Sequence, residues 1–455
     1  MDMMVDALSP LDGRYAAQLT DFAAAFSEEA LMRNRFAVEV RWLLTLAAIP
    51  QIVEFETVPV ETAAVLERWV RDFGPGDLAR IKAIEATTNH DVKAVEYYLK
   101  ELLADIGFGP TAELVHFACT SEDINNLAHG LMLTEGLETA WLPLADGLVA
   151  EITALAEAHA AMAMPSHTHG QPATPTTLGK ELAVFARRLA RQASGIRAGE
   201  LQGKLNGAVG TFGAHTVAFP EVDWIVVSRQ FVTGLGLGWN PLTTQIEPHD
   251  SLAEILHGVV RFNTVLIDFC RDLWEYISRN YLRQQTIAGE VGSSTMPHKV
   301  NPIDFENAEA NAGISSSLAE HLASKLMVSR MQRDLSDSSA LRNLGVALGH
   351  SGLAIRSARR GLGRVAPDPA VMAAELDSQW EVLGEAIQTV MRRYGFDQPY
   401  ERLKALTRGA TVTEADVSAF IMGLDLPADA ETRLLKLTPA TYTGLAAELV
   451  RFVRE

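Results

Sequence analysis

Between residues 251 and 276 the apolar side chains Leu252, Ile255, Val259, Phe262, Leu266, Phe269, Leu273 and Tyr276 recur at alternating steps of three and four. That spacing predicts a long helix with a coiled-coil-like seam. Leu256, Val260, Ile267, Trp274 and Ile277 fall on its other faces, so the helix is expected to be buried on more than one side, as a member of a bundle. A second seam runs through Leu178, Leu182, Phe185, Leu189 and Ile196. A third helix is expected from about residue 304 to 327, where frequent Ala and Ser permit close helix approach. Strand-like alternation is scarce throughout, and the pattern predicts an all-α fold built on a long central helical bundle.

Two breaks divide this helical pattern. Residues 105–111 (DIGFGPT) and 361–369 (GLGRVAPDP) carry the Gly and Pro that punctuate chains, which predicts an N-terminal part over 1–111, a central long-helix part over 112–364 and a C-terminal helical part over 365–455. There is no internal repeat and no low-complexity linker. Residues 206–220 (NGAVGTFGAHTVAFP) are glycine-rich at a spacing of three, but they contain neither GxxxxGK[ST] nor GxGxxG after a strand. A turn or hairpin is expected there instead of a nucleotide cradle.

Composition narrows the function. At 455 residues and 48% hydrophobic the chain can bury a large core, and its formal charge of −18 argues against a general nucleic-acid or membrane-surface binder. No uninterrupted apolar run reaches bilayer length, and the opening MDMMVDALSP lacks the basic and apolar regions of a secretion signal, so a cytoplasmic protein is expected. Cys119 and Cys270 are the only cysteines, without CxxC spacing. They are expected to be small buried side chains.

Five polar stretches break the helical pattern. The richest is 289–302, GEVGSSTMPHKVNP, where Gly289, Gly292, Pro297 and Pro302 bracket two serines, a histidine, a lysine and an asparagine. Such a segment cannot be core, and it reads as a shaped loop, a lid over a site. The others are SPLDGRY (9–15), TTNHDVKAVE (87–96), HFACTSEDINN (116–126) and SHTHGQPATP (166–175). Three of these have plain structural readings. Asp12-Gly13 suits a turn; Asn89 or Asp91 could cap a following helix with Lys93 and Glu96 on its wet face; Thr120, Ser121 and Asp123 could start the next. His167 and His169 alternate in an extended segment and could chelate a metal, with His90 and Asp91 completing a hydrolase site. No HExxH or cysteine cluster accompanies them, which makes that reading the weaker one.

The five stretches together, with QIEPHD and the C-terminal MRRYG, resemble the fumarase/aspartase superfamily, and most nearly its adenylosuccinate-cleaving members in their longer bacterial form. The likeness runs over nearly the whole chain. Related lyases of argininosuccinate, malate or aspartate share the GSS-MP-K-NP skeleton but not this set. The resemblance implies a three-domain, tetramer-forming subunit whose sites are shared between copies, and elimination of fumarate from adenylosuccinate and from succinylaminoimidazole carboxamide ribotide (SAICAR), to give AMP and AICAR. It implies no metal or organic cofactor.

It also assigns roles. Ser293 is implied as the base, with Ser294 the open alternative, and His169 as the acid; His90 assists at the succinyl or phosphate end, and Lys299 can hold the serine alkoxide. Because the substrate carries a phosphate and two carboxylates while the protein is acidic, a local cationic cluster is required: Arg14 with Tyr15, Lys299, Arg333 and Arg342, with Ser338 and Ser339 as neutral donors. Asn89, Asp91, His116, Thr120, Ser121, Gln245, Val300, Asn301 and Asn307 are the remaining implied contacts. Glu122 departs from the uncharged residue usual in the wider superfamily and receives no role. Two other readings stand beside this one: a different fumarate-releasing lyase of argininosuccinate lyase type, and a non-catalytic scaffold that keeps the helical fold.

Overall fold

The 251–276 seam becomes the helix Asp250–Ser278, the second seam Leu178–Arg197, and the Ala/Ser-rich segment Ile303–Leu326. The structure is a computed structural model that describes residues 7–53, 58–285, 296, 299–407 and 412–455. Helix dominates, and the strands described form only three two-stranded pairs. The main seam is buried as its spacing requires, and so is Leu256, but Trp274 remains 43% exposed, so the helix is not covered at that position among the described residues. The helical run over 121–158 does reach the length and mean hydropathy (1.2) of a membrane span, with half of that window buried inside the protein.

The chain forms two compact units. The first comprises Met1–Leu144, Gln192–Thr264 and Ala310–Ala354. Its N-terminal helix Glu28–Ala47 buries Phe36, Trp42 and Leu43 and packs on Ser121–Gly136. Phe26 fits between Gly136 and Gly345, where a Cβ on either glycine would collide with its ring or its own Cβ. The long helices of this unit meet through a dry polar chain. Trp141 Nε1 donates to Ser351 Oγ (2.8 Å), Ser351 Oγ to Asn263 Oδ1 (2.8 Å), and Asn263 Nδ2 to Ser315 Oγ (2.9 Å), all four residues being buried. Four helical segments are thereby fixed in register, since a shift of any one would strand a polar group away from water.

Residues 206–220 turn as expected but form no hairpin. Positive-φ Gly207 and Gly210 shape the turn, and the short helix Gly213–Ala218 follows, while Gln202–Gly203 pairs in parallel with Gly238–Trp239.

The second unit comprises Ala145–Arg191, Val265–Glu309 and Ile355–Glu455. Phe185 and Phe269 meet edge to face in it (5.4 Å between centroids), and a C-terminal cluster of Leu383, Ile387, Met391, Val417 and Ile421 gives the last helices a core of their own. Its most local signature is an antiparallel hairpin of Ala163–Thr168 with Gln171–Thr177. Thr168 pairs with Gln171, leaving His169 (φ 55°) and Gly170 (φ 74°) as the two-residue turn. Positive φ at both positions is the turn geometry that matches the twist of paired strands, and glycine takes it without strain. Cys270 is buried as expected; Cys119 is only half-buried, its thiol pushed well up by burial and by Asp123 and Glu39.

Candidate active site

The first unit gathers many of the implied contacts around the starts of two helices. Asn89 ends the helix Pro75–Thr88 with left-handed backbone (φ 50°), and His90 begins Asp91–Asp105, its Nδ1 accepting from Lys93 N at 3.1 Å. The cap is therefore His90, not Asn89 or Asp91. Glu96 is also not on a wet face: it is 3% exposed and binds Lys93 Nζ at 2.6 Å.

Asp91 is freed from capping for another purpose. Its Oδ2 accepts from Arg35 (2.8 Å) and from Arg342 (2.7 Å), and Arg342 also binds Glu28 (2.9 Å). Burial acts to raise the Asp91 pKa, but the two guanidiniums outweigh it and hold the carboxyl below its ordinary range. Arg35 extends the network to Asn125 Oδ1 (2.8 Å).

Thr120 and Ser121 stand at the start of Ser121–Gly136, with Thr120 N donating to Asp123 Oδ2 at 2.9 Å in a capping box. Asp123 also receives Asn206 N (3.0 Å) and Gly207 N (3.1 Å), and it pairs with Lys204 Nζ at 2.9 Å where both side chains are fully buried. A buried pair is tolerable only when the remaining lone pairs are filled, as here. The result is a rigid helix start, and a helix N-terminus is local geometry that favours an anion.

Arg333 reaches this helix start from the other side. It binds Glu122 Oε2 (3.1 Å) and Gln245 Oε1 (3.3 Å) and lies 3.8 Å from Asp337. Gln245 is fixed in turn by donating to Ala208 O at 2.8 Å. Ser338 and Ser339 follow on the short helix Ser336–Leu341, where Ser338 N donates to Asp337 Oδ1 (2.7 Å). His116 is tied to Glu39 (2.6 Å) and lies 3.6 Å from Glu96. Burial would lower its pKa, but the carboxylates prevail and it is raised. Arg14 is exposed beside the Tyr15 ring (5.9 Å), following the Asp12-Gly13 turn.

In the second unit His169 stands exposed at the hairpin tip. Its neighbour His167 is engaged by Arg279 (3.1 Å) and Glu375 (3.3 Å), so burial and the guanidinium lower its pKa. Lys299 and Val300 are exposed; Lys299 N donates to Met296 O (3.0 Å) and Val300 O accepts from Gln284 (2.8 Å). Asn301 is half-buried, as is Asn307, which accepts from Ser357 Oγ at 2.7 Å. Ser293, Ser294 and most of the expected lid lie outside the described residues.

A groove of about 760 Å³ lined by Arg41, Pro50, Glu67, Asp223 and Phe231 contains none of the implied site residues. Glu28, Arg35, Glu122, Asp123, Lys204, His249 and Asp337 were not anticipated as site neighbours. The TSED spelling placed Glu122 and Asp123 beside the two implied contacts, QIEPHD contains His249, and Asp337 adjoins Ser338; Glu28, Arg35 and Lys204 carry no local signal, because burial of a charge depends on partners far along the chain.

Comparison with known proteins gives a consistent picture. A lyase family model matches residues 13–314, and a model described as adenylosuccinate lyase C-terminal matches residues 329–443. Adenylosuccinate lyase of Haemophilus influenzae is 54% identical over 445 residues, 98% of each chain, and that of Escherichia coli K12 is 52% identical over the same length and share. The Legionella pneumophila Corby enzyme is 48% identical over 448 residues, again 98% of each. Among solved structures, a fumarate lyase from Mesorhizobium sp. BNC1 superposes with TM-score 0.76 at 20% identity, covering 95% of this chain and 97% of that one. A 3-carboxy-cis,cis-muconate lactonizing enzyme from Pseudomonas putida superposes with TM-score 0.74 at 22% identity, covering 95% of each. These two likenesses establish the fold alone.

Proposed function

The chain belongs to the adenylosuccinate lyase family, and from that premise we propose that it eliminates fumarate from adenylosuccinate, leaving AMP, and from SAICAR, leaving AICAR. The observation that carries this is identity of about half of all positions along 98% of the chain to enzymes of that name.

The reaction needs three things. A base must take a proton from the carbon next to the one bearing nitrogen; the C–H pair then becomes the new C=C bond as the C–N bond breaks, and an acid must protonate the departing amine. Fixed positive charge must meet the carboxylate on which negative charge builds up. We assign Ser293 as base and His169 as acid. A serine hydroxyl serves only where water is excluded and donors hold the alkoxide, a task suited to Lys299 and the amides after Gly292. An imidazole can carry and release a proton through one ring nitrogen, which suits proton delivery to the departing amine. Thr120 and Ser121 receive a succinyl carboxylate at their helix start; Arg14, Arg333 and Arg342 meet the remaining anions with Ser338 and Ser339; and His90, with Asn89 and Asp91, lies at the succinyl or phosphate end. His116, Gln245, Val300, Asn301 and Asn307 complete the contacts.

We further propose a homotetramer with sites shared between copies, working in the cytoplasm where its nucleotide substrates are made, and a subunit divided at about residues 111 and 364. Supporting the assembly, Arg14, Asn89, His90 and His169 stand exposed in the single chain, and so do the large apolar side chains Trp274 (43%) and Ile314 (47%) on long helices. The direct test is the absorbance change on mixing the protein with adenylosuccinate, with argininosuccinate and malate as controls. Turnover of adenylosuccinate alone is expected; turnover of argininosuccinate in its place would overturn the assignment, and inertness toward all three would favour a scaffold.

A further inference from the structure

Glu122 has no task in the reaction above, yet it is 1% exposed and holds the arginine assigned to the substrate. Its Oε2 accepts from Arg333 Nη2 at 3.1 Å and from Asn125 Nδ2 at 3.4 Å. Its Oε1 has no hydrogen-bond partner among the described residues, and the same is true of Asp337 Oδ2 and His249 Nε2. All three residues are buried, and each offers an oxygen or nitrogen within 4.8 Å of the other two.

Such a group is out of balance if both carboxyls are ionised. Burial keeps His249 neutral, its pKa pushed down to about 4, so the imidazole supplies at most one N–H. Two carboxylate oxygens then face each other away from water with a single guanidinium to serve them. The other charged neighbours are committed elsewhere: Lys204 to Asp123 at 2.9 Å, and Glu247 to Asn240 and the His249 backbone N–H. Like charges sharing a buried site raise the affinity of the site for a proton.

We propose that Glu122 is a positioning residue that takes up a proton when an anionic group of the substrate or product settles on Arg333, so that the arginine's charge passes from the buried carboxylate to the ligand. The proposal rests on the assignment of Arg333 to the substrate site. The proton comes from solvent and ends on the Glu122 carboxyl; no other bond is made or broken. While Glu122 is ionised, an arriving phosphate or carboxylate competes with it for the same guanidinium. Once Glu122 is neutral the competition ends, and by linkage an anion on Arg333 raises the proton affinity of Glu122. Burial, assisted by Asp337 and opposed by Arg333, Lys204 and Asn125, pushes Glu122 up to about 7, which puts this exchange in the neutral range.

The test is titration calorimetry of the full-length protein with AMP near pH 8, in HEPES, triethanolamine and Tris, phosphate-free buffers whose ionisation enthalpies differ. Uptake approaching one proton per AMP is expected, and Glu122→Gln abolishes it. In the parent, KM for adenylosuccinate rises by up to about tenfold per pH unit above the cluster's titration; in Glu122→Gln that slope, beyond what the substrate and other groups contribute, is lost, and KM on the alkaline side falls below the parent's. A purely structural Glu122 would lower thermal stability and leave the slope in place. If Glu122→Gln does not fold, Asp337→Asn serves: removing the repelling charge moves the uptake to lower pH. Equal uptake by parent and Glu122→Gln, no uptake by the parent, or a stoichiometric transition metal in the purified protein would each overturn the proposal. The premise has its own control. Arg333→Met is expected to weaken AMP binding; unchanged affinity there would show that Arg333 is misassigned, a result separate from any outcome at Glu122.

Discussion

Ser293 and His116 lead to opposite kinds of experiment. Ser293 is tested by chemistry: Ser293→Ala is expected to lower turnover by about 10² to 10⁴-fold or more with an unchanged circular dichroism spectrum, whereas Ser294→Ala retains much of its activity. A fully active Ser293→Ala would remove the base assignment. His116 is tested by stability. Its pKa in the fold is raised by Glu39 and Glu96. A group with a raised folded pKa stabilises fully below its unfolded value and loses that contribution as pH climbs through the folded one. His116→Gln is therefore expected to cost more stability near pH 6 than near pH 9, measured by urea unfolding at each. A pH-independent loss would mean that the ion pair to Glu39 contributes nothing beyond shape. At this scale the sequence was partly legible. Thr120 and Asp123 announced a helix start by their spacing, and the helix is there. That His90 caps its helix, or that Glu96 is buried against His116, was not legible, because both depend on what packs above them.

Elements were read more securely than residues. The three-and-four spacing of Leu252 to Tyr276 and of Leu178 to Ile196 located two long helices to within a few residues, since burying a continuous seam leaves little choice of period or extent. Short strands escaped that logic. The hairpin around His169 is six and seven residues a side, and its pattern is dominated by Pro, Thr and Ser, with no clean apolar alternation. The polar chain through Asn263 is likewise invisible in sequence, where an asparagine on an apolar helix could as well face water. Its value can be measured. Asn263→Ala leaves Ser351 and Ser315 short of partners in a dry interior, and a loss of about 1–3 kcal/mol is expected from the shift in urea midpoint. A midpoint within experimental error of the parent would mean that water enters and replaces the amide.

For the whole molecule, the proposed site is what would reconcile the charge of −18 with the anionic substrate: Arg342 and Arg333, the cations assigned to it, are each held beside acidic side chains, so they are placed before any ligand arrives. Assembly is the other large-scale question. If each site draws on several copies, then mixing inactive His169→Gln with inactive Ser293→Ala under conditions of subunit exchange restores turnover, because some hybrid sites receive both intact residues. No recovery, together with an active species of monomer mass, would refute shared sites. The expected tetramer came from the family resemblance and not from any pattern in the chain itself; what the chain offered is that its polar stretches lie far apart along it.

The hairpin tip carries one more consequence. His169 rides on the shortest connection two antiparallel strands can make, with its backbone confined by paired residues on either side. A proton donor on a long loop would surrender much conformational freedom each time it came to the leaving group. On the proposed assignment of His169 as the acid, most of that ordering is met once, when the polypeptide folds, so that the imidazole would arrive pre-aimed. The same economy makes the tip intolerant of length change: one residue inserted beside Gly170 would slip the strand register and point the ring elsewhere.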